Sequence, residues 1–302
     1  MALNYIFIEM SDDNEFWNYG TIKLGINNFN LPPVLIGTLF YQGQSLLDRS
    51  NDEIFNQEKA KKRIFNQKAL AEKYKLPNLI EISGNSPKAM VKYLEFYLDN
   101  FDPPFVLGGT FDARLVGIEY LNERGVKPDE YIYNTISNLK NKKEIELLQK
   151  YKIKSIVILI LGSENMSSTQ RYAYLTEKNQ PNNTSIIDGL KKIGIEKIWI
   201  DSGVITLESL AHVLETQQIV STSLQLPVGT APNLFLFKYS SPKLNIKFHT
   251  RFRRASIMFI ASWFSNFLFY GPIEDAKECF ASTFQAMEFK KILKSKNIKL
   301  LD

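Results

Sequence analysis

Eight times along this 302-residue chain, a short apolar run stops at a small or polar turn and gives way to a helix-length segment. The runs are Val34–Phe40, Asn78–Ser83, Phe105–Leu107, Tyr131–Asn134, Ser155–Leu161, Lys197–Asp201, Gln225–Gly229 and Asn266–Tyr270. The intervening segments predict helices over 57–74, from Ser86-Pro87 to about 98, and over 112–124, 142–151, 186–193, 206–220, 248–264 and 275–293. Ser86 before Pro87 is a helix-start signal, because serine caps free backbone N–H groups and proline suits the first helical position. Strict strand–helix alternation implies a parallel sheet covered by helices. Eight units at this length favour a (β/α)8 TIM barrel over an open sheet. Residues 4–9 and 20–24 predict an N-terminal β-hairpin, so residues 1–30 read as an extension and 31–302 as one barrel domain. Residues 163–184 read as the longest loop.

Composition narrows the chemistry. The single cysteine, Cys279, leaves no partner for an intramolecular disulfide, and two histidines make a His-based metal centre a poor reading, so no metal is expected. No Gly-x-Gly-x-x-Gly or Gly-x-x-x-x-Gly-Lys-Ser/Thr follows a strand, which argues against dinucleotide and P-loop folds. The net charge of +5 comes mostly from scattered lysines that suit a solvated helix face, so no nucleic acid partner is expected. The apolar run 255–270 is shorter than the roughly 20 residues of a membrane span. The Arg251, Arg253 and Arg254 cluster before it leaves at most peripheral attachment. No signal peptide is visible, and the reading is cytoplasmic.

In a barrel, ligands are held at the C-terminal ends of the strands. The polar residues there are Gln42 and Gln44 after the first strand, Glu81 and Ser83 at the second, Thr110 after the third, Asn134 closing the fourth, Asp201 closing the sixth, and Asn233 beyond the seventh. Amides and carboxylates together offer donors and acceptors in one plane, which suits the edge of a pteridine or purine ring. Glu81 stands out because an acid is unusual inside a strand pattern. Asp201 before Ser202-Gly203, and Asn233 after Pro232, read equally well as turn residues.

The segments Val34-Leu-Ile-Gly-Thr-Leu-Phe-Tyr41, Ser86–Phe96, Ala113-Arg114, Ile132-Tyr-Asn-Thr-Ile136, Leu226-Pro-Val-Gly229 and Phe269-Tyr-Gly-Pro-Ile-Glu274 occur in a telling order. Together they resemble the H-subunit family of the tetrahydromethanopterin S-methyltransferase and its relatives among pterin-dependent methyltransferases. The resemblance implies a (β/α)8 barrel that holds methyl-tetrahydromethanopterin or methyl-tetrahydrofolate in its mouth. It implies transfer of the N5 methyl to the Co(I) of a corrinoid on a partner protein, within a methyltransferase complex. Association with further copies of the chain is left open.

Carried over, Asn134 and Asp201 fall on catalytic positions, and Glu81, Thr110, Asn134, Asp201 and Asn233 on the substrate shell. The chain departs from the family at two strand ends. Gly108-Gly109-Thr110 stands where Asp-Ser-Thr is usual, and Leu161 where an asparagine is common. These departures motivate the alternative of a diverged, non-catalytic barrel subunit.

Overall fold

In the computed structural model, the described residues are 15–27, 29–163, 165–232, 246–296 and 298. Two short strands, β1 (Phe16–Tyr19) and β2 (Ile22–Gly25), pair antiparallel. The second overlaps the predicted hairpin, but its partner is 16–19. The predicted strand at 4–9 lies outside the described residues.

Eight parallel strands follow: β3 (Val34–Leu39), β4 (Asn78–Gly84), β5 (Phe105–Gly109), β6 (Tyr131–Ile136), β7 (Ser155–Leu159), β8 (Lys197–Asp201), β9 (Val228–Thr230) and β10 (Phe267–Pro272). They close in the order β10-β3-β4-β5-β6-β7-β8-β9, a (β/α)8 TIM barrel.

The outer helices are α1 (Gln57–Tyr74), α2 (Pro87–Asn100), α3 (Phe111–Glu123), α4 (Lys142–Lys150), α5 (Ser168–Thr176), α6 (Ile186–Lys192), α7 (Leu207–Leu224), α8 (Ile246–Ala261) and α9 (Ala276–Ser295). Their starts follow local chemistry. Asn56, Ser86, Asn141, Ser185 and Thr206 each accept a backbone N–H from the first turn of the helix that follows.

Helix α5 corrects the expectation of a long loop over 163–184. Ser167 and Gln170 form a reciprocal capping box at its start. The signal Ser-x-x-Gln is present in the sequence, but the helix is only nine residues long. The basic cluster is also partly taken up by the fold. Arg254 pairs with Asp275 at 2.7 Å and Arg251 with Glu278 at 3.3 Å, joining α8 to the last β–α turn and to the first turn of α9.

Two apolar layers hold the architecture. Between sheet and helices lie Ile82, Leu107, Tyr133, Ile158 and Ile200 with the inner faces of α1 to α7. Inside the barrel, Val34, Ile36, Leu79, Val106, Ile132, Val157, Trp199, Phe267 and Phe269 pack together with Tyr19 and Leu24 of the hairpin. Those strand residues lie toward the N-terminal ends, so the hairpin closes the barrel floor and leaves the opposite end as the mouth.

Tyr19 is the bolt. Its hydroxyl lies 3.0 Å from Ser155 Oγ and accepts Trp199 Nε1–H at 2.8 Å. Lys197 Nζ sits 4.3 Å from the centre of its ring. Tyr19→Phe strands the buried Trp199 N–H, an unsatisfied donor worth about 1–3 kcal/mol. Urea unfolding should show that loss, and an unchanged midpoint would mean that the hairpin does not brace the barrel.

Candidate functional site

The strand register carries the interior face up to the mouth. Thr38 pairs with Glu81, Glu81 with Val106, Asn134 with Val157, and Leu159 with Asp201. Above the apolar floor the next residues are polar. Glu81 is 8% exposed and Asp201 6%.

Glu81 is the centre of the arrangement. Its Oε2 accepts the Thr38 hydroxyl at 2.6 Å, and its Oε1 accepts Asn134 Nδ2–H at 2.6 Å. Burial raises its pKa, while the Thr38 and Asn134 bonds and the nearby Arg114 charge oppose that rise. A carboxylate only accepts hydrogen bonds, so it fixes the Asn134 amide with nitrogen inward. The Asn134–Thr135 peptide is cis, and the ladder to β7 slips between Asn134 and Ile136.

Gly108 explains why Glu81 can lie there. A Cβ at residue 108 would fall 2.2 Å from Glu81 Oε1, 2.8 Å from its Cδ and 2.9 Å from its Cγ. The glutamate of β4 therefore fills the volume that a side chain on β5 would take. The neighbouring turn is equally tight. Gly109 has φ +101° and passes so close to Gly84 that a Cβ would sit 2.1 Å from its carbonyl oxygen. Arg114, one turn into α3, donates to Gly109 O at 2.5 Å and pairs with Glu144 at 3.5 Å.

Asp201 ends β8. Its Oδ1 accepts the Gly203 N–H at 2.9 Å, so it is both a strand-end acid and the turn former that its sequence suggests. Burial pushes its carboxyl up to about 6, with the Glu81 charge adding to the rise. Gly203 N–H, the buried Thr230 hydroxyl and Arg171 pull the other way.

The other candidates separate from this centre. Thr110 is exposed, and its hydroxyl donates to Asn85 O at 3.2 Å. Gln44 pins the loop after β3, accepting Phe40 N–H at 2.6 Å and donating to Glu274 at 3.0 Å. Leu161 lies past the end of β7 and is 62% exposed. Asn233 lies outside the described residues. Two surface clefts of about 410 Å³ each, beside α1 and α2 and beside α1 and α9, are lined by none of Glu81, Asn134 or Asp201. Arg171 is the mouth residue that sequence reasoning missed, because 163–184 offered no strand end.

The comparisons with known proteins bear on the family and the fold. The profile of the tetrahydromethanopterin S-methyltransferase MtrH subunit family matches residues 13–298. The H subunit of that enzyme from Methanothermobacter marburgensis is 27% identical over 264 residues, 85% of each chain. Its counterpart from Methanopyrus kandleri is 26% identical over 215 residues, 70% of this chain and 66% of the relative. Among solved structures, a dihydropteroate synthase of Yersinia pestis in complex with a sulfonamide drug superposes with a TM-score of 0.62. That superposition covers 92% of this chain and all of the other at 15% identity, a likeness of fold.

Two substitutions test the geometry. Gly108→Ala should displace Glu81 and break the Asn134 contact, lowering thermal stability by about 1–3 kcal/mol. A melting curve like that of the wild type would contradict the close approach. Asp201→Asn tests the buried charge. The folded protein binds the Asp201 proton more tightly than the unfolded chain, so stability falls as pH rises from about 4 through 6. The amide should therefore stabilise the ligand-free protein above pH 6, by at most about 3 kcal/mol, and leave it unchanged below pH ~4. Asp275, also raised to about 6, is common to both proteins and cancels in the difference.

Proposed function

The chain belongs to the tetrahydromethanopterin S-methyltransferase MtrH subunit family, and from that premise we propose that it is a pterin-dependent methyltransferase working at the mouth formed by Glu81, Asn134 and Asp201. The methyl donor is the N5 methyl of a methyl-tetrahydropterin, methyl-tetrahydromethanopterin or methyl-tetrahydrofolate. The acceptor is the Co(I) of a corrinoid on a partner protein. The observation that carries the reading is the Glu81–Asn134 bond over Gly108, beside a second buried acid, Asp201, that ends β8.

The residue types suit the substrate. A pterin ring presents an amino group and ring N–H donors on one edge, and buried carboxylates accept such donors strongly. Asn134 has one N–H committed to Glu81, which leaves its carbonyl oxygen and second N–H for a heterocycle. Asn233, by the same reading, belongs to the pterin shell. Thr110, turned toward Asn85, serves the rim of the site.

The chemistry asks little more of the protein. A tertiary amine is a poor leaving group, so N5 must gain a proton or a strong hydrogen bond as the methyl departs. A carboxyl that titrates at about 6 can hold a proton near neutral pH, and Asp201 meets that need. A cobalt(I) corrinoid supplies its own nucleophile, so what remains is orientation of the two reactants in line.

The reading of a barrel without chemistry leaned on Gly108 and Leu161. With Glu81 filling the space above Gly108, the glycine supports an intact site instead. No helix among the described residues is long and apolar enough to cross a membrane. On this proposal the chain works on the cytoplasmic side and meets any membrane through partner subunits.

Calorimetric titration with methyl-tetrahydromethanopterin and methyl-tetrahydrofolate tests the reading. One of them should bind, and Asn134→Ala and Asp201→Asn should each weaken it about tenfold or more, as loss of a buried polar contact of about 1.5–3 kcal/mol implies. Binding indifferent to both substitutions would sink the site.

A further inference from the structure

The mouth chemistry leaves one buried cation unused. Arg171, on α5, is fully buried. Its Nε donates to Met166 O at 3.2 Å, and one terminal nitrogen donates to both Ser202 O and Gly203 O, the latter at 2.9 Å. Its second terminal nitrogen is buried without a partner. A guanidinium holds its N–H groups in a rigid planar fork, so these contacts lock α5 to the turn that follows β8. The turn itself has no slack. Gly203 has φ +67°, and a Cβ there would lie 2.2 Å from Ile160 O. The same turn presents the Gly203 N–H to Asp201 Oδ1 at 2.9 Å.

We propose that Arg171 is a positioning residue for Asp201: it clamps the Ser202-Gly203 turn that orients the carboxylate, and it supplies the positive charge that offsets Glu81 across the mouth. This deepens the reading of Asp201 as a group that touches the pterin, and rests on it. The groups around Asp201 divide cleanly. Burial and Glu81, from β4, favour the protonated acid, whereas Gly203 N–H, the Thr230 hydroxyl of β9 and Arg171 of α5 favour the carboxylate. Arg114 acts on the other carboxylate, Glu81. Each acid thus has an arginine behind it that also holds the carbonyl of an adjoining glycine, Gly109 or Gly203.

The test uses the full chain without ligand, with the Asp201 carboxyl carbon followed by NMR and assigned with Asp201→Asn. In Arg171→Met the Asp201 midpoint should move up by about one pH unit, the effect of removing a nearby opposite charge. The Glu81 and Asp275 signals should keep their midpoints to within a few tenths of a unit. In Arg171→Lys the charge stays but one ammonium cannot span carbonyls on two segments. The Asp201 midpoint should then stay near that of the wild type, while methyl-tetrahydropterin binds about tenfold more weakly. An unmoved Asp201 midpoint in Arg171→Met, or wild-type affinity in Arg171→Lys, overturns the proposal. If Arg171→Met does not fold, Arg171→Lys decides alone. If the wild type binds no methyl-tetrahydropterin, the functional reading fails, and the ligand-free titration of Arg171→Met still decides the clamp.

Discussion

The mouth of this barrel depends on one buried carboxylate lying over a glycine. An ionisable group away from water is tolerated only when its lone pairs are met. Glu81 meets that condition by drawing Thr38 from β3 and Asn134 from β6 onto its two oxygens, bridging strands on either side of its own neighbourhood. It can reach Asn134 across β5 because residue 108 has no side chain. Glu81, Gly108 and Asn134 are therefore one unit, and a change at any of them is felt at the other two.

The second acid is built differently. Asp201 rests on the Gly203 N–H, with the Thr230 hydroxyl and the Arg171 charge also favouring its ionised form, and burial still pushes it up to about 6. Burial raises both acids, and on the proposed function Asp201 carries the proton. The cost falls on the fold, since a buried carboxylate at neutral pH stabilises nothing by itself. The scaffold offsets that cost on the far side, where Tyr19, Ser155 and Trp199 seal the barrel floor with the hairpin.

Much of the fold was legible in the chain because it rests on periodic signals. Helix α1 spans Gln57–Tyr74 and β8 spans Lys197–Asp201, both as read. Short elements were not legible. Helix α5 hides in a polar stretch, and β9 is only three residues long because its neighbours, not its own propensity, define it. Glu81, Asn134 and Asp201 were candidates from their places on the strands, and the structure joins the first two in one hydrogen bond. The meaning of Gly108 was not legible, because what matters there is the volume claimed by a residue 27 positions earlier on the adjacent strand. Sequence made it the point where an aspartate is missing, and packing makes it the point where Glu81 of the adjacent strand fills the space. Arg171 escaped for a related reason: a guanidinium acting on carbonyls of a distant turn leaves no local pattern.

The central claim is that the Glu81 carboxylate of β4 occupies the volume over Gly108 of β5 and serves the site from there. The most direct measurement is the affinity for methyl-tetrahydromethanopterin of Gly108→Asp, Glu81→Gly and the double variant. Each single substitution should weaken binding about tenfold or more, Gly108→Asp by crowding Glu81 and Glu81→Gly by removing the acid. The double variant, with one carboxylate in the same volume, should recover most of the loss, a coupling that only neighbours sharing a contact display. Losses that simply add in the double variant would contradict the account.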